Sequence, residues 1–173
     1  MKKLRFMATA LAAISLCGTA SAADGTINFT GTIRDTACTV DTASANQTVN
    51  LGTVAATSFG SAGSTASASR FTINLTGCPT AVTTASIRFD GPLASGNSNL
   101  LALSSGQTAT NVGVGIYQQD SATLIPVAKA SAPVTLSSTG TNTLNFVAKY
   151  VSTAATVGAG SANAVATFTV AYN

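Results

Sequence analysis

The end of the chain constrains its fold most. From Ala164 every second residue is apolar or aromatic: Ala164, Ala166, Phe168, Val170 and Tyr172. A period of two is the signature of a strand with one buried face. The strip runs to the penultimate position and opens after Gly160, fourteenth from the end. A second alternating strip, Ile27, Phe29, Gly31 and Ile33, lies close to the other end. Three large side chains on one face there need an apolar partner. The two strips therefore belong either to the first and last strands of a self-contained sandwich or to a groove and a strand that fills it.

The residues ahead of Ile27 are a leader. Lys2, Lys3 and Arg5 are followed by an apolar run from Phe6 to about Leu16 and by Ala20-Ser21-Ala22, an A-x-A cleavage pattern. This reads as a secretory signal peptide over residues 1–22, too short in its apolar part to span a membrane. Cleavage after Ala22 removes the excess positive charge. What remains holds five bases (Arg34, Arg70, Arg88, Lys129, Lys149) and five acids (Asp24, Asp35, Asp41, Asp90, Asp120). A neutral exported chain gives no basic surface for nucleic acid, and none is expected as a partner.

Cys17 leaves with the leader, so Cys38 and Cys78 remain. Two cysteines in an exported chain read as one disulfide, closing a loop of about 40 residues and worth about 4 kcal/mol if loop entropy is what it removes.

Beyond the leader no stretch carries helical periodicity. The pattern predicts strands over residues 26–34, 37–41, 47–51, 70–76, 85–89, 100–103, 112–118, 123–128, 143–151 and 164–172. Gly, Pro, Asn, Asp and Ser punctuate them at sandwich spacing. Residues 55–69, rich in Ala, Ser, Gly and Thr, read as a long loop with a short helical turn. The expected fold class is all-β, in a single domain.

Enzyme chemistry is poorly provided for. The exported part has no His, Glu or Trp. Ser-His-Asp and Cys-His arrangements are therefore impossible. Five scattered Asp offer little for paired-carboxylate hydrolysis, and two cysteines engaged in a disulfide leave no zinc site. Gly113-Val114-Gly115 lacks the remaining glycines and the helix of a dinucleotide fingerprint. No cofactor, metal or small-molecule substrate is expected.

Several segments in order carry a family likeness: residues 25–33 (GTINFTGTI), 37–41 (ACTVD), 47–52 (QTVNLG), 71–78 (FTINLTGC), 111–116 (NVGVGI), 146–150 (FVAKY) and the C-terminal motif from Gly160 to Tyr172. With them the chain resembles the chaperone–usher fimbrial pilins, and most of all the type 1 fimbrial major subunits. The resemblance implies an incomplete immunoglobulin-like β-sandwich completed by a donor strand from another molecule. Residues 23–34 would form the donor extension, with Ile27, Phe29, Gly31 and Ile33 on the inserted face. Residues 35–173 would form the pilin domain. Gly160, Ala164, Ala166, Phe168, Val170 and Tyr172 would make the acceptor groove and its C-terminal motif.

The implied partners are identical or related pilin subunits, a periplasmic chaperone and an outer-membrane usher. The implied destination is a surface fimbria involved in adhesion. A minor adaptor or tip-associated subunit is the alternative role. Burying Ile27, Phe29 and Ile33 would contribute about 1.5–3 kcal/mol each.

Overall fold

The structure, a computed structural model, describes residues 25–31, 33 and 37–173. The signal peptide expected over residues 1–22 lies outside the described residues. The chain divides into two units, Met1–Ile33 and Arg34–Asn173.

In the second unit ten strands, β1 (Thr39–Val40), β2 (Thr65–Thr76), β3 (Thr84–Asp90), β4 (Leu93–Ala94), β5 (Asn97–Leu101), β6 (Val112–Gln118), β7 (Leu124–Ile125), β8 (Val134–Thr135), β9 (Asn142–Ser152) and β10 (Thr167–Tyr172), build two antiparallel sheets. The larger runs β1-β2-β9-β6-β5-β4, with β7 on β6, and the smaller runs β10-β3-β8. Short helical turns occupy Thr42–Ala45 and Ala56–Ser58.

The sheets meet through the faces that the alternation marks. Ile73, Leu75 and Leu144 are sealed from solvent on β2 and β9, and so is Ile87 on β3. Three rings lock the layers together: Phe89 and Phe146 cross edge to face at 5.2 Å, and Phe71 lies 5.5 Å from Phe146 and 6.1 Å from Phe89. Cys38 and Cys78 are joined, as expected, which ties the start of β1 to the end of β2.

Several strands differ from those expected, and pairing or local turns decide each case. β1 shrinks to two residues because Asp41 opens the helical turn, its carbonyl accepting from Ser44 and Ala45. β2 begins five residues before Arg70, inside the expected loop, because β9 is long enough to pair it from Thr65. Leu93–Ala94 and Val134–Thr135 are two-residue strands too short to leave a sequence signal. Residues 25–31 and 33 form no strand, and residues 47–51 join no ladder. An extended segment without a neighbour has nowhere to place its backbone hydrogen bonds except water.

Candidate functional site

The site lies at the outer edge of β10. This strand pairs residue for residue with β3, from Thr167↔Asp90 to Tyr172↔Ala85. On the inward face Phe168 stands beside Phe89, Val170 beside Ile87 and Tyr172 beside Ala85. Phe89, Ile87 and Ala85 are buried, at 4%, 0% and 1% exposure. Phe168, Val170 and Tyr172 pack on the same core yet remain only half-buried. The cover over the core therefore stops between β3 and the free edge of β10, which has no ladder partner among the described residues.

Segment 47–51 covers the same core from the side of the larger sheet. Its Val49 and Leu51 turn inward, half-buried against the same core, while Thr48 and Asn50 are exposed. It follows the outer edge of β2 and encloses with Ser69–Thr72 a shallow depression of about 400 Å³. Tyr172 spans from β10 to the β1 side, its hydroxyl donating to the Cys38 carbonyl at 3.3 Å. Burial raises its pKa, so the phenol stays neutral and keeps its proton for that bond.

The segment leading into β10 is fixed by the loop opposite. Gly158 and Thr110 exchange backbone hydrogen bonds of 3.0 and 3.1 Å. The Ser161 carbonyl accepts from Ala109, and the Asn163 carbonyl accepts from Ser104. At Gly160 a Cβ would run into the Ala109 amide nitrogen and the Thr108 hydroxyl. That close approach explains a glycine here in a chain that otherwise favours Ala and Ser. Ala164 is half-buried against the core, as the alternation requires.

Ala166 departs from the expected strip: it is exposed and precedes the strand. The cause lies in its neighbour. β3 ends at Asp90, and Gly91-Pro92 follows, so no ladder reaches beyond Thr167.

In the first unit Ile27, Phe29 and Ile33 are 78%, 91% and 98% exposed. Three large apolar side chains that near one another and that open to solvent are an unmet demand for burial. Gly31, in the same register, has no neighbour that a Cβ would touch.

Sequence reading missed the support of segment 47–51. Ser67 and Ser69 reach its carbonyls from β2, and nothing in a run of Ser, Thr and Ala singles them out. Among the described residues no group of His, Cys, Asp or Glu is placed to hold a metal ion.

A strand edge open over an apolar gap, with a loose apolar strip elsewhere in the chain, is the arrangement of a subunit built for assembly. The family model "Fimbrial protein" matches residues 27–173, and the chain belongs to that family. It is 42% identical to the type-1 fimbrial protein A chain of Escherichia coli strain K12, across 94% of each chain. It is 41% identical to the probable major fimbrial subunit LpfA of Escherichia coli O157:H7, across 99% of this chain and 97% of that one. Among solved structures it is similar to a Burkholderia pseudomallei antigen and type I fimbria protein, with a TM-score of 0.62 and 38% identity over 86% of this chain and 97% of that one. The chain is thus a non-enzymatic structural pilin with the immunoglobulin-like pilin fold. It is a subunit of chaperone–usher fimbriae, exported and assembled on the cell surface with other pilin subunits.

Proposed function

We propose that this pilin polymerises by donor-strand exchange and forms the shaft of an adhesive fimbria. One observation carries the reading: the inward side chains of β10 are half-buried while those of β3, in the same register, are sealed. Residues 23–34 are the donor extension, and Ile27, Phe29 and Ile33 fill the gap beside β10 of the next subunit, with Gly31 where the groove is shallow. Residues 35–173 are the acceptor domain. Main-chain pairing along the free edge supplies affinity and the alternate side chains supply register, the mode of β-augmentation; chaperone–pilin complementation is a standing example of it.

A contact between the head of one copy and the tail of another does not close on itself, so it generates an open filament. Before assembly the same gap would take a strand from a periplasmic chaperone, exchanged at an outer-membrane usher. The likeness to a probable major subunit, over almost the full length of both chains, favours the shaft over a minor adaptor or tip role.

The test is direct. Residues 35–173 are unfolded by heat with and without a peptide spanning residues 23–34. The peptide at about a hundredfold over its dissociation constant adds about 2.7 kcal/mol, or roughly 5–11 °C in a domain of this size. A protein already stable and indifferent to the peptide would mark a self-contained sandwich and end the donor-strand reading.

A further inference from the structure

Segment 47–51 keeps the alternation of a strand without the hydrogen bonds of one. Val49 and Leu51 face the core, yet no ladder joins the segment to β2. Side chains hold it instead. Gln47 Nε2 donates to the Thr72 carbonyl at 3.0 Å. Ser69 Oγ donates to the Asn50 carbonyl at 2.6 Å, and Ser67 Oγ donates to the Leu51 carbonyl at 2.5 Å.

Ser67 lies in a bulge of β2, and Ser69 is the residue at which the ladder resumes. The register passes from Ala66↔Tyr150 to Ser69↔Ala148, so Ser67 and Ala68 together oppose Lys149. Ser67 takes a φ of +58°, the left-handed region that glycine enters freely and other residues rarely enter. Glycine would suit that backbone better but carries no hydroxyl. The strained residue is a serine, and its hydroxyl lands on the carbonyl of Leu51, in a segment that has no ladder of its own.

We propose that Gln47, Ser67 and Ser69 are positioning residues for strand capture: they hold 47–51 as a preformed wall on the larger-sheet side of the core and leave its backbone amides unspent. The inference rests on the donor-strand reading. Its physical basis is preorganisation. A wall tethered by its neighbour's side chains need not be ordered when the strand arrives, and it is not already satisfied by a ladder that insertion would have to compete with. The backbone of Thr48 and Val49, between the tethers, has no hydrogen bond among the described residues.

The experiment uses the exported chain, residues 23–173, with Ile27→Asn and Phe29→Asn to silence its own extension. A fluorescein-labelled peptide of residues 23–34 reports association rate and affinity by anisotropy. Ser67→Gly removes a hydroxyl while relieving the backbone, so the fold is kept; Ser69→Ala removes the other. Together they are expected to weaken peptide binding roughly tenfold to a hundredfold and to slow association, at about one ordinary hydrogen bond each. The melting temperature of the free chain should fall by no more than about 3 °C, and Ser69→Thr, which keeps the hydroxyl, should bind as the parent does.

Equal rate and affinity for parent and double variant would overturn the proposal while leaving donor-strand capture intact. So would a loss of binding that merely tracks a large drop in melting temperature and is not rescued by Ser69→Thr. A parent that fails to bind the peptide would overturn the donor-strand reading itself.

Discussion

β3 and β10 are neighbours in one sheet with matching inward residues, and they sit in different environments. Ile87 and Phe89 are sealed, whereas Val170 and Phe168 beside them are half-open. Sequence pattern does not separate the two strands, since both alternate. The difference is in what lies on the other side. β3 is flanked on both edges, by β10 and by β8, and β10 only on one. Two of the other sheet ends are guarded. β4 and β8 have two residues each and follow Pro92 and Pro133. Short, proline-flanked edges discourage further pairing. β10 presents six residues, TFTVAY, with no charge and no proline. An edge left long, apolar and unguarded is a template for another strand.

The sharpest way to break this comparison is to cut each strand back to alanine at the paired positions Ile87 and Val170. Ile87→Ala should destabilise the unassembled protein by about 2–5 kcal/mol, because a fully buried side chain leaves a cavity. Val170→Ala should cost it less than about 1 kcal/mol, since two methylene equivalents are lost from a half-wet site. With a donor strand in place Val170 becomes interior, and its cost should rise to about 1.5 kcal/mol or more. Thermal unfolding of both variants, with and without the peptide of residues 23–34, checks the point. Equal costs for Val170→Ala in the two states would mean that the gap is not where the donor binds.

A smaller effect separates the strand from its approach. Gly160→Ala places a methyl group against the backbone of Thr108 and Ala109, which has no flexible end to swing away. A loss of about 1–3 kcal/mol is expected, as for other overpacked sites, or roughly 2–12 °C in melting temperature. Because the clash lies in the loop contact and not at the free edge, free and peptide-bound protein should suffer alike. A selective loss in the bound form would place Gly160 in the donor interface.

Much of this was legible in the residues. The inward set Phe168, Val170 and Tyr172 follows from period two, and the Cys38–Cys78 pair from there being two cysteines in an exported chain. Ala166 was misplaced because the end of a ladder is decided by the partner, and the partner's end is set by Gly91-Pro92. Segment 47–51 reads as a strand and is oriented like one, but ladder status depends on a neighbour's backbone that its own sequence does not encode. The bulge at Ser67 is hidden for a similar reason. It arises from counting β2 against β9, and local composition carries no trace of that mismatch.

The smallest effect serves as the control. Asp120 sits in the turn between β6 and β7, and its carboxylate accepts from the Thr123 hydroxyl and from the backbone amides of Thr123 and Ala122. The Thr123 hydroxyl, with those amides, holds its pKa below the ordinary 3.8. A carboxyl lowered in the folded state stabilises fully above its unfolded pKa, and that contribution disappears as pH falls through the folded value. Stability should therefore decline as the solution is acidified below about pH 4, and Asp120→Asn should flatten that part of the profile. The turn's own groups dominate, with a smaller pull from the Lys149 ammonium of β9, and none of them belongs to β10, so the slope should be the same for the free protein and for the protein with its donor peptide. A difference between them would mean that filling the gap beside β10 is felt at the opposite edge of the larger sheet, and that the open and closed forms differ by more than one strand.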